Sequence, residues 1–116
     1  MLTNEKIEKY LNFFEDKTVT FYNITDGYFE YHDTIIKFID DCYESDMLDS
    51  NYLGKIKRYK SENKDLKDLI EDADIDLLKS ILTFYIRGER FCDGMIASSF
   101  EDEIFRRILS RLSNNK

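Results

Sequence analysis

The sequence contains no proline and no tryptophan, and only four of its 116 residues are glycine. Proline, glycine and serine are the residues that usually build linkers, and no stretch of the chain is rich in them. No internal repeat is found either. We therefore expect a single domain over residues 1–116, a length that is sufficient for a hydrophobic core.

Cysteine and histidine are scarce, with two cysteines, Cys42 and Cys92, and one histidine, His32. These residues cannot supply a closed tetrahedral zinc site, the carboxylates lack the spacing of an EF-hand loop, and no glycine-rich phosphate loop is found. We therefore expect no metal and no cofactor. The cysteines have no redox-motif spacing and the first residues lack an apolar signal segment, which predicts a reduced, cytoplasmic protein.

Long apolar stretches are also missing, since even the apolar segment over residues 81–86 is interrupted by Thr83. A membrane-spanning helix needs roughly 20 apolar residues, so we predict no membrane insertion. The net charge of −7 would repel a polyanion, whereas nucleic-acid binders normally carry a basic face. General binding of DNA or RNA is therefore not expected.

Helical periodicity is the main positive signal. The spacing of three and four residues between apolar positions predicts a mainly α fold, a compact helical bundle of five to six helices. Asp74 is a suitable N-cap for the most apolar helix, over residues 74–87, which should be the most buried. The Asp26-Gly27 turn signal predicts a minor β-hairpin near residues 18–31. The first helix should bury one stripe, formed by Ile7, Tyr10, Leu11 and Phe14.

Four further helices follow from the same periodicity. One begins at Asp33 or Thr34 and buries Cys42. Another buries Leu53, Ile56 and Tyr59, and a short one buries Leu66, Leu69 and Ile70. The last begins with a capping box formed by Ser98 and Glu101, and its apolar face consists of Phe100, Ile104, Ile108 and Leu112.

Arginine is unevenly distributed, because five of the six arginines lie in the last thirty residues. Two of them belong to the segment RGERFCDG, residues 87–94. On a helix, Arg87 and Arg90 would form one like-charged pair, and Glu89 and Asp93 another, so both pairs need partners elsewhere.

Two interpretations of this segment remain open, and they can coexist. In the structural one, Glu89 and Asp93 pair with arginines of the last helix. In the functional one, Arg87 or Arg90 presents its planar fork to an anionic group while the acids hold it in place.

Cys92 raises the question of nucleophilic catalysis. A reactive thiolate needs nearby positive charge, which Arg87 and Arg90 could supply, and a general base, for which His32 is the one histidine. We favour the simpler interpretation, in which Cys92 is a small apolar residue packed beneath a loop. His32 is interpreted as a surface or boundary residue, and no catalytic residue is assigned.

The segment LLKSILTFYIRGERFCDGMIASSFEDEIFRRILSRL, residues 77–112, resembles the signature of a family of small bacterial and phage proteins, domain of unknown function 6508. In that signature a Thr lies four residues before Arg-x-acid-Arg-Phe-x-acid-Gly, and a closing helix ends in Leu-x-Arg-Leu. The matching residues are Thr83, Arg87, Glu89, Arg90, Phe91, Asp93, Gly94, Leu109, Arg111 and Leu112. The resemblance implies a compact, mostly helical domain, with no settled activity or cofactor.

The favoured function is that of a small non-enzymatic binding protein, which captures an anionic, nucleotide-like ligand or an acidic segment of a partner protein. Its ligand-binding residues would be Arg87, Arg90, Arg107 and Arg111, with support from Thr83, Glu89, Phe91, Asp93 and Gly94. A phage or mobile-element role in anti-defence, such as sequestering a nucleotide signal, would suit the resemblance, and a homo-oligomer is left open.

Two other classes of function are kept as alternatives. The acids over residues 40–49 and 65–76 could present carboxylates to a nucleic-acid enzyme, which would make the protein an inhibitor by mimicry. A continuous carboxylate face would favour this inhibitor, whereas a concavity lined by arginines would favour the ligand binder. An enzyme that uses Cys92 is the third class.

Overall fold

Seven helices and one β-hairpin form the computed structural model of the chain, which describes residues 1–59 and 65–114. The elements are α1 (Asn4–Glu15), β1 (Tyr22–Thr25), β2 (Tyr28–Tyr31), α2 (Asp33–Glu44), α3 (Tyr52–Tyr59), α4 (Leu66–Leu69), α5 (Ile75–Gly88), α6 (Met95–Ser99) and α7 (Ile104–Asn114). The predicted fold class, mainly α with a minor hairpin, is confirmed. No helix of the described ranges is long and apolar enough to cross a membrane.

Helix α5 lies at the centre of the fold, as its composition predicts. The Asp74 carboxylate accepts a 2.8 Å hydrogen bond from the Leu77 N–H and so caps the helix. Helices α3, α6 and α7 all pack against α5. Its buried residues lie on more than one face of the helix. They are Leu77, Leu78, Ser80, Ile81, Leu82, Thr83 and Ile86.

The second half of the core forms where α1 meets α2 and α7. All four residues of the predicted α1 stripe are buried. Phe38 of α2 lies between them and α7, with its ring centroid 5.1 Å from that of Tyr10 and 5.4 Å from that of Phe105. Such edge and tilted contacts between rings stabilise a core by more than the burial of their apolar area alone.

A polar contact ties the loop before α3 to the middle of α5. The Asp49 N–H donates to the Thr83 hydroxyl at 2.9 Å, and the Ser80 hydroxyl donates to the Asp49 carboxylate at 2.8 Å. Burial disfavours the charged form of Asp49, but hydrogen bonds from Asn51, Ser80 and Lys55 outweigh it and hold the pKa of this carboxyl below its ordinary value. Thr83, fully buried, therefore supports the α2–α3 connection.

The hairpin is a two-residue turn between two four-residue strands, in which Thr25 faces Tyr28. Asp26 and Gly27 have φ values of 53° and 82°, as a type I′ turn requires. The helix that follows is capped by His32, whose Nδ1 accepts from the Thr34 N–H at 3.0 Å. The predicted caps, Asp33 and Thr34, are therefore wrong by one or two residues.

Two other sequence-based assignments are also wrong. Leu53 and Tyr59 are 59 % and 46 % exposed, and only Ile56 of that stripe is buried, because α3 packs mainly on one helix, α5. The predicted last helix is divided in two: Ser98 lies near the end of α6 and its hydroxyl donates to the Met95 carbonyl, so it caps nothing. Glu103, at φ 52°, separates α6 from α7.

We expect Leu78→Ala in α5 to lower the free energy of unfolding by about 2–5 kcal/mol, because the side chain is fully buried and its loss leaves a cavity. Leu53→Ala is the matched control, with an expected change within about 0.5 kcal/mol at an exposed position. Urea denaturation followed by circular dichroism measures both. Equal losses would contradict the assignment of α5 as the centre of the core.

Candidate binding site

The segment RGERFCDG continues directly from the end of α5. The Gly88 carbonyl accepts hydrogen bonds from the N–H groups of Phe91 at 3.0 Å and Cys92 at 2.9 Å. The Arg87 carbonyl accepts from the Arg90 N–H at 3.2 Å. These bonds satisfy carbonyls that the end of a helix leaves without partners, and they turn the chain sharply into residues 89–94, which we call the 89–94 loop.

Glu89 is the residue that anchors this loop. Its carboxylate accepts three hydrogen bonds of 2.8 Å, from the Tyr31 hydroxyl, the Gly94 N–H and the Ile96 N–H. The two N–H groups belong to the start of α6, where backbone donors have no partner within the helix. Glu89 therefore joins the end of α5, the start of α6 and the hairpin.

Tyr31 completes this network from the hairpin. Its hydroxyl donates to Glu89 and accepts a 3.1 Å hydrogen bond from the Ala97 N–H. Burial, and then the hydrogen bond to Glu89, raise the pKa of the Tyr31 hydroxyl well above its ordinary value. Tyr31 thus remains a neutral donor throughout the physiological range of pH.

The predicted partners of the two acids are wrong. Glu89 is bound by N–H groups and a tyrosine hydroxyl rather than by arginines of the last helix, which bind other acceptors. Asp93 is exposed and makes no hydrogen bond or ion pair within residues 1–59 and 65–114.

Gly94 allows the loop to approach the hairpin. Its φ is 93°, and a Cβ atom added to it would lie 2.8 Å from Cζ of Phe29. Only glycine adopts this backbone region at little cost and also leaves room for the ring. Gly94 is therefore required for the fold of the loop.

Two of the four arginines predicted to bind a ligand are engaged inside the protein. Arg107 forms an ion pair with Glu71 at 3.1 Å and donates to the Lys67 carbonyl at 2.7 Å. Arg111 donates to the carbonyls of Ile70, Glu71 and Ala73. Both guanidinium groups hold the segment around α4 against α7.

Of the other two arginines, Arg87 lies at the end of α5 and Arg90 belongs to the 89–94 loop. Arg87 is half-buried, and its side chain has no hydrogen bond or ion pair with any residue that the structure describes. Arg90 is exposed, with its guanidinium carbon 5.3 Å from the ring centroid of Tyr43 in α2. That contact orients the group over an aromatic face and leaves its donors available.

Phe91 is 86 % exposed, although it is one of the most apolar side chains of the sequence. It lies between Arg90 and Cys92 on the anchored loop. Thr83, in contrast, contacts Asp49 and lies one helical turn before Arg87, so it supports this site only through α5. Arg87, Arg90 and Phe91 thus lie within residues 87–91, at the end of α5 and in the 89–94 loop, and we call these three the Arg-Phe surface.

Cys92 is exposed, so the prediction that it is packed beneath the loop is wrong. Cys42 is buried as predicted, and burial raises the pKa of its thiol. His32 caps α2 and its ring packs 4.9 Å from that of Phe13, which does not support a role as general base for Cys92. Within the described ranges, no group of three His, Cys, Asp or Glu residues could hold a metal ion.

Two features of the site were missed by reasoning from the sequence. One is the role of Tyr31 and Phe29 as partners of the loop, for which the sequence has no signal. The other is a cavity of about 570 Å³, which is not lined by residues of the Arg-Phe surface and whose apolar lining is mostly aromatic. The density of phenylalanine around residues 13–21 and 100–105 is the one sequence signal for it.

We expect Glu89→Ala to lower the free energy of unfolding by about 2–4 kcal/mol, because three buried or half-buried donors lose a charged acceptor. Tyr31→Phe should lose about 1 kcal/mol, and the double variant should lose less than the sum, since the two groups share one network. Asp93→Ala is the control, and thermal or urea denaturation is the measurement. An equal effect of Glu89→Ala and Asp93→Ala would contradict the anchoring role.

The two thiols should react differently with a thiol reagent such as Ellman's reagent. In the folded protein we expect Cys92 to react quickly and Cys42 to react only after addition of denaturant, because the first is exposed and the second buried. Cys92→Ser should abolish the fast phase. A fast phase that persists in this variant would show that Cys42 is accessible.

The comparisons with known proteins give a family but no characterised relative. No curated protein matches the chain significantly, and neither does any solved structure. A family model matches residues 5–116, a range that contains the Arg-Phe surface, the Glu89 anchor and the cavity. The chain therefore belongs to a family of unknown function, DUF6508.

Proposed function

We propose that the protein is a small non-enzymatic binding protein, which captures an acidic segment of a partner protein on the Arg-Phe surface. The observation that carries the proposal is the division among its arginines: Arg107 and Arg111 donate to internal acceptors, whereas Arg87 and Arg90 have no internal anion among the described residues. A guanidinium group without an internal acceptor suits a carboxylate from outside.

The rigidity of the 89–94 loop supports this proposal. The three hydrogen bonds of Glu89 hold the loop, and the contact with Tyr43 restricts Arg90. Side chains that are ordered before binding lose less conformational entropy when a partner arrives. The loop therefore presents Arg90 at a low entropic cost.

Phe91 indicates a protein partner rather than a small molecule. Aromatic and arginine side chains are the residues that most often dominate the energy of protein interfaces. Neither the 570 Å³ cavity nor a second, smaller one near Tyr85 is lined by Arg87 or Arg90. A segment with carboxylates beside an apolar side chain would complement the Arg-Phe surface in charge and in hydrophobicity.

A small nucleotide-like anion is the second ligand proposed for the same arginines. If this anion is the ligand, the proposed role is anti-defence in a phage or mobile element. The chemistry is shared, because phosphate and carboxylate both accept bidentate hydrogen bonds from arginine. The exposed Phe91 has no role in the binding of such a small anion. The experiment below distinguishes the two ligands.

The mimicry hypothesis has less support. Many of the acids that it requires are engaged within the protein: Asp41, Asp46, Asp49 and Glu71 form ion pairs, and Asp65 and Asp74 cap helices. Carboxylates that neutralise internal cations and helix ends project little charge toward a partner. We therefore prefer the Arg-Phe surface.

The test is native mass spectrometry of the tagged protein purified from its host, followed by affinity measurement with the captured species. We expect a protein to co-purify, and we expect Arg87→Ala, Arg90→Ala and Phe91→Ala each to weaken its binding about tenfold or more. Arg58→Ala, an exposed arginine on α3, is the matched control and should bind like the wild type. Binding should weaken with added salt.

Other results would change the conclusion. A captured nucleotide that is lost in Arg87→Ala and Arg90→Ala but kept in Phe91→Ala would show that the ligand is a small anion and not an acidic protein segment. A second copy of the chain, lost in the same variants, would make the surface a homo-oligomer interface. A bare monomer whose variants only melt at a lower temperature would show that the surface is structural.

A further inference from the structure

A second site is indicated by the 570 Å³ cavity, which shares no residue with the Arg-Phe surface. Its volume is within the range of roughly 300–1,000 Å³ that is typical of pockets for small molecules. It lies where the end of α1, the start of the hairpin and the α6–α7 junction meet. Its apolar lining consists of Val19 and four phenylalanines, and we call the phenylalanines the Phe quartet: Phe14, Phe21, Phe100 and Phe105.

The rings of the Phe quartet form a closed set of contacts. The centroid distances are 5.8 Å for Phe14–Phe21, 4.9 Å for Phe21–Phe100, 6.1 Å for Phe100–Phe105 and 5.7 Å for Phe105–Phe14. Phe14 and Phe105 are buried, whereas Phe21 and Phe100 are half-buried. The accessible aromatic surface thus comes mainly from Phe21 and Phe100, and ring faces carry partial negative charge.

The charged residues at the rim of the cavity are Glu15, Asp16, Lys17, Glu103 and Arg106, three acids and two bases. Arg106 is neutralised by Glu103, because its Nε and Nη2 donate to the two carboxylate oxygens at 3.1 and 3.3 Å. Glu15, Asp16 and Lys17 remain, with a net charge of −1. The rim is therefore acidic.

The carboxyl end of α1 adds negative potential on this side of the cavity. The Asp16 carboxylate accepts hydrogen bonds from the hydroxyl and the N–H of Thr18, and these bonds hold its pKa below the ordinary value. Glu15 and Asp16 lie at the carboxyl end of α1, whose last turn contains no basic residue. The helix dipole disfavours acids there unless a cation compensates them.

We propose that this cavity binds an organic cation, an ammonium group with an apolar body, against the Phe quartet and below the acidic rim. Aromatic faces attract such cations, and the attraction increases when water is excluded. The net charge of −7 raises the local concentration of cations around the whole molecule. The same features disfavour a carboxylate or phosphate ligand.

Three probes of nearly equal shape test the charge preference on the wild-type protein. They are choline, its neutral analogue 3,3-dimethyl-1-butanol, and the anionic 3,3-dimethylbutanoate, titrated while aromatic and amide signals are followed by NMR. We expect choline to bind about fivefold tighter than the alcohol and the anion to bind weakest. The shifted signals should include those of Phe21 and Phe100.

Variants identify the groups responsible. Phe21→Leu and Phe100→Leu keep apolar volume but remove a ring face. Each should therefore weaken the binding of choline about threefold and change the binding of the alcohol little. Lys17→Gln should strengthen the binding of choline, and Glu15→Gln should weaken it. Tyr28→Leu removes an exposed ring of the same hairpin that does not line the cavity, and it should change neither ligand.

The ranking of the three probes decides the proposal without relying on any variant that folds poorly. Equal or tighter binding of the alcohol would show that the cavity is merely apolar. Tighter binding of the anion would show that Lys17 and Arg106 dominate. Absence of shifts at the Phe quartet up to the solubility limit of choline would show that the cavity is no cation site.

Discussion

The hydrogen-bonded carboxylate of Glu89 connects parts of the chain that are distant in sequence. It receives the Tyr31 hydroxyl from the hairpin and two N–H groups from the start of α6, immediately after α5 has ended. A half-buried carboxylate requires such donors, and the first N–H groups of a short helix require an acceptor. Because one side chain meets both requirements, the course of the 89–94 loop and the position of Arg90 and Phe91 depend on it.

The arginines of the last thirty residues serve two different purposes. Arg107 and Arg111 donate to carbonyls around α4, where a one-turn helix leaves its acceptors without internal partners. A lysine has no planar fork and could not reach several carbonyls with the same geometry. The excess of arginine is therefore partly structural, and the proposed binding function rests on the pair beside the loop, Arg87 and Arg90.

The hairpin contacts both the loop that carries Arg90 and Phe91 and the Phe quartet of the cavity. On one side Phe29 packs against Gly94 and Tyr31 binds Glu89; on the other, Phe21 and Tyr22 pack on Phe100, at centroid distances of 4.9 and 5.9 Å. A two-stranded hairpin is marginally stable by itself, so these contacts are what order it. The two proposed ligands differ in charge because an arginine pair faces one and an aromatic cavity with an acidic rim faces the other.

The sequence alone determined the local features: the buried stripe of α1, the central position of α5 with its Asp74 cap, and the Asp26-Gly27 turn. Each depends on periodicity, on a cap or on backbone φ, and these are properties of a few neighbouring residues. Only the tertiary structure decided that Glu89 binds Tyr31 and the start of α6, that Cys92 is exposed, that Arg107 and Arg111 bind carbonyls, and that four phenylalanines surround a cavity. The physical reason is that spacing along a helix shows which residues share a face, whereas the partner of a side chain depends on which distant elements pack together.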